Sequence, residues 1–354
     1  MWTILLFLLL LTVIVCIHEA GHLLAAKRFH VYCFEYSFGM GPVLFQRRKG
    51  ETRYSIRAIP VGGFVSMAGE KDGDEAYPDD VVPEGRRLTD QKPWKRIIIM
   101  LAGVAMNFLL AYVLFSLIVL SQGGYAESPK AVIASVTADS PAEKAGFEAG
   151  DRIVRVSSAD GTSSSIDTIM DLQLFMATSQ DQTLTFTVQR SDEKIVLTVT
   201  PEYNADNESY MIGIVGDSAV VHEVNFLNCW VYGGKEMAMI NDLMIKTLAN
   251  LFRGHGLNQL SGPVGIYSAT EQSVSYGALS YFFLIAEMSL NVGIFNLLPL
   301  PILDGGQVVL TIGEWITHKP LNEKVKIGII SACWALMIGL MIFVTFNDLT
   351  RLFN

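Results

Sequence analysis

The chain has 354 residues, of which 51% are hydrophobic and only 17% are charged, and its formal net charge is -9. Soluble domains carry roughly 25% charged residues, so this composition argues against a wholly soluble chain and favours a membrane protein with a soluble part. The acidic balance also argues against nucleic acid as a partner.

Four apolar stretches are long enough to cross a bilayer, which takes roughly 20 residues in a helix. They cover residues 2–26, 97–121, 278 to about 303, and 327–346. The first stretch could instead be a signal peptide, but it lacks a basic start and a clear cleavage site. The sequence therefore predicts four membrane spans.

Basic residues near the spans predict the orientation, because Lys and Arg accumulate on the cytoplasmic side of a membrane. They are Lys27, Arg28, Arg47, Arg48, Lys49, Lys92, Lys95 and Arg96 in one loop, and Lys319, Lys324 and Lys326 in another. Both loops are predicted to be cytoplasmic. The two termini and the segment 122–277 are then predicted to lie outside.

The first span contains the motif IHEAGH at residues 17–22. On a helix, His18 and His22 share one face and Glu19 stands beside them. This HExxH arrangement is typical of two zinc ligands and a general base for an attacking water. A chance match is the alternative, but polar groups at membrane depth cost roughly 2.5–3.5 kcal/mol each. The motif therefore predicts a metal site.

A catalytic zinc site usually has three protein ligands, and the segment NLLPLPILDGG at residues 296–306 offers the third. Pro299 and Pro301 prevent a regular helix there, and irregular backbone at membrane depth must be buried in protein or line a water-filled cavity. Asp304 follows the prolines and is the predicted third ligand. A plain Asp-Gly-Gly turn is the alternative.

Together these motifs resemble the site-2 protease family of intramembrane zinc metalloproteases, in its bacterial RseP/RasP-type branch. The segments IRAIPVGGFVSMAGE, KPWKRIIIMLAG, SPAEKAGFEAGDRI and GPVGI extend the resemblance along almost the whole chain. The site implied by the resemblance consists of Zn²⁺ held by His18, His22 and Asp304, the catalytic base Glu19, and the substrate-binding residues Asn296, Pro299 and Pro301. A local cap on the backbone broken near Pro299 is the alternative role for Asn296.

Two residues depart from the family pattern. Val104 stands where the family often has proline, and Gln307 stands where a histidine commonly follows the Asp-Gly-Gly turn. Neither belongs to the implied ligand set.

Two regions outside the spans are predicted to form β structure. Residues 53–70 are rich in β-branched and aromatic residues and are broken by Pro60, Gly62 and Gly63, which predicts hairpin-like strands. An exposed edge there could pair with an extended substrate, and a cytoplasmic hairpin without a substrate role is the alternative. Residues 131–201 contain four strand-like runs with two helical segments between them, and they resemble one PDZ domain.

Residues 227–251 are predicted to form an amphipathic helix. Trp230 and Tyr232 favour a position at the outer membrane interface, where aromatic residues accumulate. A helix packed against a protein core is the alternative.

The predicted fold is an α-helical polytopic membrane protein with four transmembrane helices and membrane-associated β elements, plus one extracytoplasmic α+β PDZ domain. Its predicted segments are an N-terminal membrane core (1–126), the PDZ domain (127–202), an amphipathic linker region (203–277) and a C-terminal membrane core (278–354).

The resemblance implies a multi-pass protease of the bacterial inner membrane, in contact with lipid. Its implied substrates are single-span membrane proteins, such as anti-sigma factors or signal-peptide remnants, that an upstream site-1-type protease has trimmed. A catalytically silent membrane adaptor with a PDZ domain is the alternative, although a scaffold has no need of Glu19 beside two imidazoles. A metal transporter would need polar groups along several spans, whereas here they cluster at one depth.

Overall fold

A computed structural model of the chain describes residues 2–179, 182–204, 209–252, 260–318 and 322–353. Its helices are α1 (Trp2–Arg28), α2 (Lys71–Ala76), α3 (Pro93–Gln122), α4 (Pro141–Ala145), α5 (Ile169–Thr178), α6 (Cys229–Phe252), α7 (Pro263–Tyr276), α8 (Ala278–Asn296), α9 (Asp304–Thr317) and α10 (Glu323–Phe353). Its strands are β1 (Cys33–Lys49), β2 (Thr52–Met67), β3 (Gly124–Glu127), β4 (Ile133–Val136), β5 (Arg152–Ser158), β6 (Ser163–Ser165), β7 (Leu184–Arg190), β8 (Glu193–Val199), β9 (Glu202–Asn204), β10 (Ser209–Met211), β11 (Ile214–Gly216) and β12 (Val220–Glu223).

Four helices within the described part of the chain are long and apolar enough to cross a membrane: α1, α3, α8 and the segment Lys324–Asp348 of α10. The predicted end of the third span at about residue 303 is wrong, because α8 ends at Asn296. Pro299 and Pro301 lack the N–H group that a helix would need, so the chain turns between α8 and α9. The loop predicted after this span contains the helix α9, whose exposed side chains include Ile312 and Trp315.

The chain forms two compact units. One consists of Met1–Ile118, Gly233–Met237 and Leu260–Asn354, and the other of Val119–Tyr232 and Ala238–Gln259. All four membrane-capable helices lie wholly or mainly in the first unit. The predicted division into four segments stays a prediction.

In the first unit, β1 and β2 pair to form a ribbon whose strands are joined at residues 50–51. Residues 35–38 of β1 pair with two parts of β2, residues 53–56 and residues 63–66. The predicted strand structure of residues 53–70 is present over most of the segment, but the hairpin pairing is wrong, since residues 53–56 and 63–66 both pair with β1 and not with each other. Pro60 and Gly62 lie where the register shifts, and Gly62 adopts a positive φ of 71° that suits glycine. The breaking residues thus bend a strand rather than end it.

The ribbon packs along α1. The Thr12 hydroxyl donates to the Pro60 carbonyl at 2.7 Å, and the Tyr36 hydroxyl donates to the Cys16 carbonyl at 2.8 Å. Lys27 Nζ donates to the Tyr54 hydroxyl at 2.6 Å near the end of the helix. These bonds hold both strands of the ribbon beside the helix that carries the HExxH motif.

A buried carboxylate joins the two strands of the ribbon. Glu35 is 1% exposed and accepts hydrogen bonds from Ser55, Tyr77 and Arg57, the last at 2.7 Å from Nη2. Burial by itself raises the pKa of Glu35, but the three donors outweigh burial and lower that pKa. Glu35 is therefore held as an anion. Beyond it the ribbon exposes the apolar side chains Met40, Val43, Leu44, Phe45, Ile56 and Ile59.

The helix α7 was not predicted from the sequence. Its N-terminus is capped from α10, because Asp348 Oδ2 accepts from Gly262 N at 2.8 Å and from Gly265 N at 2.9 Å. A carboxylate satisfies the free N–H groups at a helix N-terminus and complements its dipole. The capping residue is 83 positions away from Gly265 along the chain, so local sequence patterns could not reveal it.

The second unit contains a four-stranded sheet in the order β6-β5-β7-β8 and a separate β4–β11 pair. Its core includes the strand residues Ile133, Ile153, Val156, Leu184, Phe186 and Val188, and also Ile212, which lies just before β11. The four predicted strand runs correspond to β4, β5, β7 and β8, and the two predicted helical segments to α4 and α5. β11 lies beyond residue 202, so the compact fold continues past that position.

The predicted amphipathic helix is present as α6. Within the second unit, Lys246 Nζ donates to Asp171 Oδ1 at 3.0 Å, and Asp171 accepts from the backbone N–H of Thr168, the N-cap residue of α5. Burial by itself raises the pKa of Asp171, but bonds from Lys246 and Thr168 lower it overall. One end of α6 is thus tied to α5, while its predicted contact with the outer leaflet stays a prediction.

Candidate metal centre

His18 and His22 lie one turn apart on α1 and are both buried. Their Nε2 atoms are 3.1 Å apart, so the two rings point toward a common centre. This is the geometry that the HExxH spacing predicts.

Asp304 begins α9, and its Oδ2 lies 3.0 Å from His18 Nε2 and 3.5 Å from His22 Nε2. The two glycines that follow position this carboxylate. A Cβ at Gly305 would overlap the Leu297 carbonyl oxygen, and a Cβ at Gly306 would overlap the Leu300 carbonyl oxygen. Only glycine therefore lets the loop after α8 fold so closely onto the first turn of α9.

These three groups fit a zinc ion. Ligands about 2.0–2.2 Å from a tetrahedral zinc ion lie about 3.3 Å from one another, which agrees with the observed separations of 3.0–3.5 Å. An imidazole Nε2 that carries a lone pair has no proton to donate. Asp304 Oδ2 then has no hydrogen-bond donor among the described residues. Three lone pairs that face one another at this distance need a cation between them.

The helix α3 supports both imidazoles from behind. His22 Nδ1 lies 2.8 Å from the Ile99 carbonyl oxygen, which can only accept, so Nδ1 carries the proton and Nε2 keeps its lone pair. His18 Nδ1 lies 3.2 Å from Asn107 Nδ2. Gly103, midway between Ile99 and Asn107, faces the converging Nε2 atoms, since a Cβ there would lie 2.8 Å from His18 Nε2.

Glu19 lies beside the metal centre and is not one of the three converging groups. Its Oε2 accepts from the Val65 N–H of β2 at 3.0 Å, and it is close enough to His18, His22 and Asp304 to interact electrostatically with them. The hydrogen bond orients the carboxylate and also ties β2 to the site.

The predicted substrate-binding residues lie in the connection between α8 and α9. Asn296 is the last residue of α8, and Pro299 and Pro301 belong to the turns that follow. In the described residues no hydrogen bond joins the Asn296 side chain to the three converging groups. Gln307 Nε2 donates to the Pro301 carbonyl at 2.6 Å, so this departure from the family pattern closes the same connection.

Sequence reasoning missed the contribution of α3. Asn107 is a single asparagine inside an apolar helix. A polar side chain at membrane depth indicates a functional or structural partner. Gly103 gave no such signal, because its role depends on which helix packs against it.

The fold and the site together define a hydrolytic zinc centre within a multi-span membrane protein. The family model of peptidase family M50 matches residues 6–340. The chain is 30% identical to Regulator of sigma-W protease RasP of Bacillus subtilis and 30% identical to Zinc metalloprotease RasP of Bacillus licheniformis, with 99% of each chain covered in both cases. The chain therefore belongs to peptidase family M50 and is a zinc metalloprotease.

Among solved structures, the PDZ domain of an SdrC-like protein from Listeria monocytogenes aligns with 26% of this chain and 90% of its own. The identity is 17% and the TM-score is 0.21, which is too low to carry a structural conclusion. Membership of the protease family argues against the alternative of a catalytically silent adaptor. The predicted site-2 protease resemblance is confirmed.

Proposed function

We propose that this protease hydrolyses peptide bonds within transmembrane segments of single-span proteins that an upstream site-1-type protease has already trimmed. Anti-sigma factors and signal-peptide remnants are the proposed substrates, and the proposed process is regulated intramembrane proteolysis. The observation that carries the proposal is the convergence of His18, His22 and Asp304 beside Glu19, on helices apolar enough to lie in a membrane. The similarity to Regulator of sigma-W protease RasP of Bacillus subtilis supports anti-sigma factors as substrates.

In this proposal His18, His22 and Asp304 hold the zinc ion, and Glu19 is the general base. Bound zinc supplies a Lewis acid that polarises the scissile carbonyl and makes water acidic enough to lose a proton near neutral pH. Glu19 removes that proton from the attacking water and later delivers it to the leaving amine. Its bond from Val65 N–H holds the carboxylate in place for both transfers.

A transmembrane helix must unwind before a protease can reach its peptide bonds, and the released backbone groups then need partners. β2 lies against α1 and reaches Glu19 through Val65. We propose that an unwound substrate lies extended along this ribbon, by strand addition. In the same proposal, Asn296, Pro299 and Pro301 hold the substrate from the connection between α8 and α9.

The protein is proposed to lie in the bacterial inner membrane with both termini outside. The basic residues of the loops support this orientation. The compact unit with α5 and the β5–β8 sheet is proposed to be an extracytoplasmic PDZ domain, which the order of its strands and helices supports. α6 is proposed to lie on the outer leaflet, where its exposed Val231 would contact lipid.

The proposal is tested by reconstituting the purified chain in liposomes with a tagged single-span substrate whose outer part is short. We expect cleavage within the membrane segment, complete loss of cleavage after zinc is removed with a chelator, and recovery when zinc is restored. Cleavage that continues without metal, or occurs only outside the membrane segment, would contradict the proposal. A substrate with a leucine-rich span that resists unwinding serves as the matched control.

The second compact unit is expected to control which substrates are cleaved. The core of the second compact unit includes Ile212, and β11 pairs with β4, so a clean deletion should run from Ala131 to Gly216. If this unit excludes untrimmed substrates, the deletion will raise cleavage of a long-ectodomain substrate toward that of the trimmed one, with the trimmed rate unchanged. Loss of trimmed-substrate cleavage alone would instead indicate recruitment, and both rates are read from the same liposomes.

A further inference from the structure

Asn107 lies on α3 and has no role in the proposed hydrolysis. The residue is fully buried, and its side-chain amide lies against His18, with Nδ2 3.2 Å from Nδ1. Its Oδ1 is buried and has no hydrogen-bond partner among the described residues. The oxygen of this amide is therefore not committed to another group.

The tautomer of His18 decides whether the oxygen or the nitrogen of the Asn107 amide must face the ring. His18 Nε2 points at His22 Nε2 and Asp304 Oδ2, at 3.1 Å and 3.0 Å. A neutral imidazole that binds a metal through Nε2 carries its proton on Nδ1 and donates from there. An amide NH2 group cannot accept that proton, whereas the amide oxygen can.

Rotating the amide by about 180° exchanges its oxygen and nitrogen without moving the rest of the side chain, and the two ends are told apart only by their hydrogen bonds. The rotation places Oδ1 where it accepts from His18 Nδ1–H. His22 already shows the same arrangement with the Ile99 carbonyl, at 2.8 Å from Nδ1. Both rings then have one tautomer and present both Nε2 lone pairs to the centre.

The spacing along α3 fits this double support. Ile99 and Asn107 each lie one helical turn from Gly103, on the same side of the helix. Ile99 and Asn107 thus contact the two Nδ1 atoms, while the two Nε2 atoms converge over Gly103. The Ser289 hydroxyl donates to the backbone carbonyl of Asn107 at 2.9 Å and so also anchors α8 at this point.

We infer that Asn107 is a positioning residue of the zinc site, which fixes the ring orientation and tautomer of His18 by accepting from Nδ1–H through its amide oxygen. The inference rests on the proposed ligand set. It assigns to α3 the outer support of both histidine ligands, one through a backbone carbonyl and one through a side chain.

The test is zinc affinity of the purified full chain, measured by competition with a chelator of known affinity. Outer-shell partners of metal-binding histidines contribute about 10–100-fold in affinity, so Asn107→Leu should weaken zinc binding by that factor. Asn107→Asp keeps an acceptor and loses only the NH2 group, so it should bind zinc within about threefold of the wild type or more tightly. Ser289→Ala, which leaves the amide in place, is the matched control and should bind as the wild type does.

Thermal unfolding of the zinc-free variants separates positioning from a folding defect. If Asn107 positions His18, the loss in free energy of zinc binding should exceed any loss in free energy of unfolding. Equal zinc affinity in Asn107→Leu and wild type overturns this inference alone. A tenfold or greater loss in Asn107→Asp also overturns it, since the NH2 group would then be the part that matters, and this variant decides the question even if Asn107→Leu does not fold. A wild-type chain that binds no zinc overturns the proposed ligand set as well.

Discussion

Replacing Glu19 by glutamine is expected to abolish cleavage while leaving bound zinc at the wild-type level. Glutamine has the same shape and can still accept the hydrogen bond from Val65 N–H, which is 3.0 Å from Glu19 Oε2. It cannot take up a proton, and general-base catalysis contributes typically about 10²–10⁴-fold to a rate. The measurement is cleavage of the trimmed substrate in liposomes, with the zinc content of the same preparation determined by elemental analysis.

The combination of outcomes for Glu19→Gln distinguishes three roles. Lost cleavage with full zinc content supports the base. Lost zinc would mean that Glu19 helps hold the metal, and unchanged cleavage would mean that another group takes the proton. Glu271→Gln makes the same chemical change on an exposed position of α7 and should leave both zinc and rate unchanged.

The second large effect is expected from adding one methyl group at Gly103. A Cβ there would overlap His22 Nε2 and lie 2.8 Å from His18 Nε2, so either the imidazoles or α3 must move. A misplacement of about 1 Å near a reaction centre can lower a rate by about 100-fold. Gly103→Ala should therefore lose at least that much activity, and its zinc content should fall as well.

Helix propensity cannot account for such a loss, because alanine is favoured over glycine in a helix by about 1 kcal/mol. Gly339→Ala provides the matched control, since Gly339 also lies in a membrane-capable helix but a Cβ there meets nothing within 4 Å. We expect that variant to retain full zinc and full activity. A Gly103→Ala enzyme with wild-type zinc content and rate would show that the imidazoles do not converge over this position in the active protein.

Repeating sequence patterns predicted much of the local structure. The number of membrane-capable helices follows from long apolar stretches, and the strands of residues 131–201 follow from alternating side chains. Both patterns depend on neighbours along the chain. The hairpin prediction failed at Pro60 and Gly62 because pairing with a strand elsewhere in the chain overrides the local pattern. Residues that break an isolated strand can be taken up as a bend when a long partner strand, here β1, pairs on both sides of them.

In the candidate site, too, one part follows from the local sequence and another part depends on the tertiary structure. His18 and His22 face one point because they lie four residues apart on one helix, and that relation is fixed by the sequence itself. Asp304 was predicted from its motif, but its approach to 3.0 Å from His18 Nε2 depends on the close folding of the turn at Gly305 and Gly306.

The sequence by itself thus determined the four apolar helices and the HExxH face, and it predicted Asp304 as the third ligand. Only the tertiary structure decided that α3 supports both imidazoles, that β2 reaches Glu19, and that Asp348 caps α7. These relations join residues between 46 and 89 positions apart. Their physical basis is packing between helices and strands, which brings together groups that no local periodicity relates.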